Sequence, residues 1–255
     1  MNTRLKTLDI AVIGISAALY AAFGISTAGF SFLGVGFLPA VIIPAVFAVL
    51  FGPWVGGISA AIGIFIRDMF VHGIPLLSLS AGVPPNFIMF FLIGYITHRS
   101  ISLKQALAGV SIAAIALTMI TVIFVPDFIA TFALGGAVVS ADFVYIAVLS
   151  TIIPTLVVIT IVAIRWKEWR SYAIAAVIGQ TTGAALLATT ISAVSPYFVN
   201  NYFGTVYGPS TILPLFVWTF VTEIPFILLV GPPIIKVCYR AFPALQSRVQ
   251  KRETP

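Results

Sequence analysis

A few side chains in this chain are capable of chemistry that the apolar remainder is not. Arg67 and Asp68 stand side by side, His72 follows one helical turn later, Asn86 lies further on, and Trp218 and Glu223 sit in the run WTFVTEIPF. Residues 10–66 carry no charge, so Arg67-Asp68 interrupts a long uncharged stretch. Ionisable groups inside hydrophobic segments are expensive and mark a use. The planar guanidinium of Arg67 can snorkel toward lipid headgroups, pair with Asp68, or hold a carboxylate or phosphate of a ligand. Adjacent helical residues point about 100° apart, which works against the pairing. His72 and Asn86 come within reach if the 73–84 connection folds back. Glu223 must be paired, protonated or facing water. A tie to an arginine, a ligand contact and a proton or ion relay are all open to it. Thr219 shares its helix face, Trp218 lies close by, and Pro225 frees a backbone carbonyl nearby.

Other chemistries lack their residues. No Walker motif, no HExxH and no paired acidic motif for phosphoryl transfer occurs. His72 and His98 fall on opposite sides of the membrane in the layout below, so neither Ser-His nor His-metal chemistry is expected. Cys238 is the one cysteine, which leaves no intrachain disulfide or thiolate cluster. The expectation is a protein that is not an enzyme, with no metal and no intrinsic cofactor. Any energy for transport then comes from a gradient or from another polypeptide.

The elements that must position these groups follow from composition. Hydrophobic residues make up 60% of the chain and charged residues 8%, with a mean hydropathy of +1.15. A soluble domain carries about 25% charged residues, so the solvent here is mostly lipid. The apolar runs Ile10–Thr27, Ser31–Phe51, Trp54–Val71, Pro85–Thr97, Ala106–Val125, Phe143–Ile164, Tyr172–Val194 and Ile212–Val237 are candidate spans. Gly52-Pro53 hinges the second against the third. The fourth is short unless it begins near Leu76, and Pro84-Pro85 would then break it.

With the N-terminus inside, every Lys and Arg except Arg67 falls on the inner side. That bias predicts an even number of crossings with both termini cytoplasmic, in the cell membrane. The N-terminal MNTRLKTLD reads as the cytoplasmic flank of the first span. The predicted class is all-α: a polytopic transmembrane helix bundle of six to eight membrane helices. Residues 31–71 as a re-entrant hairpin would keep the same parity. Residues 1–240 form one integral membrane domain, and 241–255 a polar basic tail. The net charge of +6 sits in short clusters between apolar runs, so nucleic acid is not an expected partner; the lipid bilayer is.

The connection at 195–210, SPYFVNNYFGTVYGPS, is rich in Tyr and Phe, which suits an interfacial belt or a lid. Phe124–Ala141, with Gly135-Gly136, reads as a surface or re-entrant segment. Gly14, Ala17, Ala21 and Gly24 share one face of the first span, widened by Ala18 and Ala22, and Gly56, Ala60, Gly63 and Arg67 share one of the third. Such faces serve packing within the chain or docking of a partner helix. Thr182, Ala185, Thr189 and Ser192 form a stripe on the seventh span beside Gln180 and Thr181. Its hydroxyls bond their own helix or face a cavity.

The run Ala18–Gly24 (ALYAAFG), the stretch LPAVIIPAVFAVLFGPWVGGISAAIGIFIRDM and the closing TEIPFILLVGPPIIKVCYR resemble substrate-binding S components of energy-coupling factor transporters. The likeness covers about residues 10–98 and 211–240. That family has six helices, against the larger number of apolar runs here. It implies capture of a vitamin-like or micronutrient small-molecule substrate on the outer side. It also implies a transmembrane coupling subunit as partner, and ATPase subunits that hydrolyse ATP. Ala-x-x-x-Ala in the first helix contacts the coupling subunit, and Ala17 with Ala21, or Ala18 with Ala22, fit it. On this reading Arg67, Asp68, His72, Asn86, Trp218 and Glu223 orient the ligand, and Gly14, Ala17, Ala18, Ala21 and Ala22 form the coupling face. The mixed charges suggest a zwitterionic or anionic ligand with an aromatic or apolar body. The alternatives are a stand-alone proton- or cation-coupled carrier using Glu223, and a non-transporting sensor or assembly module.

Overall fold

The structure is a computed structural model, and it describes residues 6–112, 115, 119, 141–243 and 245. Most of the Ala106–Val125 run, the Phe124–Ala141 connection up to residue 140 and most of the 241–255 tail lie outside the described residues. Helix α1 (Thr7–Ser26) leads into a small antiparallel hairpin, β1 (Ser31–Phe32) and β2 (Val35–Gly36). Ser31 pairs with Gly36 and Phe32 with Val35. A 3-10 turn, Pro39–Val41, opens α2 (Ile42–Phe51), and α3 (Pro53–Val71) follows after Gly52. Then come α4 (Pro75–Thr97), α5 (residues 103–112), α6 (Ala141–Arg165), α7 (Lys167–Phe203) and α8 (Pro209–Ala241). The architecture is an all-α bundle, as expected. Among the described residues, α1, α3, α4, α7 and α8 are long and apolar enough to cross a membrane. This makes the chain a membrane protein by length and composition.

The second apolar run differs from expectation. Its first residues form the hairpin, and the helical part, Pro39–Phe51, spans roughly 20 Å, less than a bilayer core. Ala40, Ala45 and Ala48 are fully buried, because α2 is apolar all round and is surrounded by other helices. It packs on α3 and α4. Helix α3 lies between α1 and α4, and α4 between α3 and α7, which also packs on α8 and, less extensively, on α6.

The fourth span begins at Pro75, and Pro84-Pro85 does not break it. A π-helical turn, Ser78–Gly82, precedes the two prolines, and Val83 N–H donates to Ser78 O, five residues back. The wider turn absorbs the carbonyls that a proline ring would otherwise strike. The same device recurs in α8, where a π turn at Phe226–Val230 lies between Pro225 and Pro232-Pro233. Helix α7 outruns its predicted end at Val194 and takes in the first half of the aromatic connection, up to Phe203.

The first-span face also divides differently. Ala17 and Ala21 are buried inside the chain, with Ala17 against Gly63 of α3. Gly14, Ala18 and Ala22 are exposed on another side. The five residues therefore do not make one docking surface, since Ala17 and Ala21 each point about 100° away from their exposed neighbours Ala18 and Ala22 on a helix that packs on one side only. In α3, Gly56, Ala60 and Gly63 are buried and serve packing within the chain.

Close approach of α7 to α4 depends on Gly179, where an added Cβ would stand 2.8 Å from Met89 O and press on Ile93. Gly179→Ala should cost about 1–3 kcal/mol and lower the unfolding temperature in detergent. Gly14→Ala, with open space at its Cβ, should leave it unchanged or slightly raised, by helix propensity. Equal melting points would disprove this approach of the two helices.

Candidate ligand-binding site

At the end of α3, Arg67 and Asp68 are both buried, at 8% and 5% exposure. The long arginine side chain curls back, so Arg67 Nη1 donates to Asp68 Oδ1 at 2.9 Å despite the diverging Cβ directions. Asp68 Oδ2 accepts from Ser78 Oγ at 2.7 Å, and His72 Nε2 stands 3.7 Å away. Ile74 N–H donates to His72 Nδ1 at 3.1 Å, which leaves the ring proton on the nitrogen facing Asp68. The 73–84 connection does fold back, as the start of α4, and that is how Ser78 arrives. Backbone closes tightly over the pair. An added Cβ at Gly36 would collide with Arg67 Nη2, and one at Gly82 would lie 2.7 Å from Asp68 Oδ2.

Glu223 of α8 is 6% exposed. Its Oε2 accepts from Gln180 Nε2 at 2.8 Å, and the same nitrogen donates to Thr219 O at 3.1 Å. Gln180 Oε1 and Arg67 Nε are buried without a hydrogen-bond partner. Asn86 accepts from Tyr20 Oη at 2.7 Å and donates to Gly82 O at 2.9 Å, which ties α1 to α4.

These groups surround a cavity of about 80 Å³, several times the roughly 10–15 Å³ that admits one water. Arg67, Asp68, His72, Asn86 and Glu223 all line it, with Ser78, Thr219 and Tyr202. Trp218 does not. Its Nε1 donates to Val35 O at 3.0 Å and its ring packs on Phe32, so it holds the hairpin and not the cavity wall. Tyr202 holds the hairpin from the other side, donating to Gly34 O at 2.7 Å while its ring lies against His72. The hairpin thus covers the cavity with its backbone carbonyls pinned by two aromatic residues.

The hydroxyl stripe on α7 plays no such part. Thr182 and Thr189 bond carbonyls of their own helix, and Ser192 donates to Tyr207 O. Helix α7 meets the cavity through Gly183, Leu187, Ile191, Tyr202 and Phe203, while Gln180, beside the stripe, stands behind the wall and reaches the site only through Glu223. Burial raises the pKa of Tyr207, whose backbone N–H and O both engage Ser195 Oγ in fastening the loop after α7. Sequence reasoning did not single out Ser78, Tyr20 or Tyr202. The aromatic density of 195–210 was the signal for Tyr202, and its pairing with a glycine far along the chain is invisible without the fold. Among the described residues, no cluster of three or more His, Cys, Asp or Glu forms a metal site.

The chain matches no family model, no curated protein and no solved structure. The chemistry of the site is therefore read from its own geometry.

Tyr202→Phe keeps the ring and removes the bond to Gly34 O. One such bond is worth about 0.5–1.5 kcal/mol, so amide exchange over residues 31–36 should rise roughly 2- to 13-fold with the rest of the bundle unaffected. Unchanged exchange there would mean the hydroxyl does not hold the hairpin down.

Proposed function

We propose that this chain is the substrate-capturing membrane subunit of an energy-coupling-factor-type transporter. It binds a small vitamin-like or micronutrient molecule for ATP-driven uptake by partner subunits. The observation that carries this reading is the convergence of Arg67, Asp68, His72, Asn86 and Glu223 on one covered cavity in an otherwise apolar bundle. Such concave sites with a few convergent polar groups are where small ligands bind. The Lys and Arg bias supports cytoplasmic termini in the plasma membrane, an orientation that would turn the hairpin and cavity toward the outside. The small residues Gly14, Ala18 and Ala22 lie on the exposed side of α1, where a transmembrane coupling subunit could approach closely. On this reading the chain is not an enzyme, holds no cofactor of its own, and leaves ATP hydrolysis to separate ATPase subunits.

A self-sufficient carrier is the second reading, favoured by Glu223: a buried carboxylate facing the cavity is suited to carrying a proton or a cation. A sensor or assembly module is the third, and no residue of the site favours it.

Uptake separates these readings. Ala18→Trp and Ala22→Trp should spare ligand binding by the purified chain and stop uptake in cells that supply the ATPase partners. Ala21→Trp is the wrong probe, because Ala21 is buried in the fold. Glu223→Ala should weaken ligand binding. Uptake by the chain alone, abolished by an uncoupler and indifferent to ATP depletion, would replace the subunit reading with the carrier.

A further inference from the structure

We infer that the ligand of this cavity is a small organic cation that sets a positively charged nitrogen on Glu223. The inference rests on the ligand-capture reading above and names its substrate class. It begins from a charge imbalance. The cavity wall holds one guanidinium, Arg67, and two carboxylates, Asp68 and Glu223. The guanidinium is committed to Asp68 at 2.9 Å. Asp68 is further served by Ser78 and faced by His72. Glu223 receives only the neutral amide of Gln180, and among the described residues no cation comes within the 4.0 Å of an ion pair to it.

A carboxylate removed from water needs a counter-charge or hydrogen-bond donors to stay ionised. A ligand ammonium or amidinium supplies both at once, since each N–H donates and the group carries the missing charge. Thr219, one turn before Glu223, adds a hydroxyl oxygen to the same wall. The remaining wall suits the body of such a molecule. Met89, Leu187 and Ile191 are apolar, and Tyr202 and Phe203 offer aromatic faces, which attract cations.

An anionic ligand fares worse. It could reach the unpartnered Arg67 Nε only beside Asp68, whose carboxylate already holds that guanidinium, and it would leave Glu223 without a counter-charge. The anionic option that the mixed charges left open in the sequence is thereby disfavoured. A zwitterion satisfies the geometry only with its amine on Glu223.

The test uses the full chain purified in detergent and probes that share one ring and differ in the head: benzylamine, benzoate and benzyl alcohol. Benzylamine, a cation at neutral pH, should raise the unfolding temperature of the wild type, and the other two should not. Its dissociation constant should weaken about tenfold or more in Glu223→Gln, while Glu223→Asp, which keeps the charge, should retain the preference for the amine. Stabilisation by benzoate, equal stabilisation by benzyl alcohol, or an amine response unchanged in Glu223→Gln would overturn the assignment and leave ligand capture standing. The wild-type comparison needs no variant, so a misfolded Glu223→Gln does not shield the idea. If none of the probes has any effect on the wild type, the cation assignment and the capture reading fall together.

Discussion

The buried Arg67–Asp68 pair is the constraint around which the upper part of this molecule is arranged. Two opposite charges taken out of water are tolerable only when their remaining lone pairs and protons are met. Asp68 meets this demand by drawing partners from different elements: Arg67 and His72 from α3 and its end, and Ser78 from the π turn of α4. The pair also dictates backbone composition nearby. Gly36 and Gly82 stand where a Cβ would strike the guanidinium and the carboxylate, so the hairpin and α4 can close over the charges.

Two further polar ties join the helices below it. Tyr20 and Asn86 bridge α1 to α4, and Gln180 and Glu223 bridge α7 to α8. Each of these side chains is buried in an otherwise hydrocarbon-like interior, where an unmet polar group is costly. The cavity is the space these ties leave among them. Its asymmetry is chemical: at Asp68 the charges compensate one another, whereas Glu223 has only an amide. That difference gives the site a polarity that a ligand can read.

The π turns at Ser78–Gly82 and Phe226–Val230 connect fold to site. Each lets a helix pass through a proline pair without breaking. In α4 the same widened turn carries Ser78 to Asp68, and Gly82 O to Asn86. A regular α-helix over these residues would keep the prolines in conflict with the preceding carbonyls and turn those groups elsewhere.

Composition and hydropathy were enough for an all-α membrane bundle, the hinge at Gly52 and the elements that hold the ionic groups. This is because lipid solvation forces backbone groups to pair locally, and local pairing is written in runs of apolar residues. The isolation of Arg67, Asp68 and Glu223 among apolar neighbours was equally legible, since a charge in such surroundings is rare. What only the tertiary structure decided is which long-range partner each group takes. Trp218, expected at the ligand, holds a hairpin; Ala17 and Ala21, whose small-residue face suits internal packing or docking alike, lie inside; Tyr202 reaches a glycine early in the chain. Spacing along one helix tells which residues share a face, but the neighbour that covers that face comes from elsewhere in the sequence, and no local periodicity encodes it.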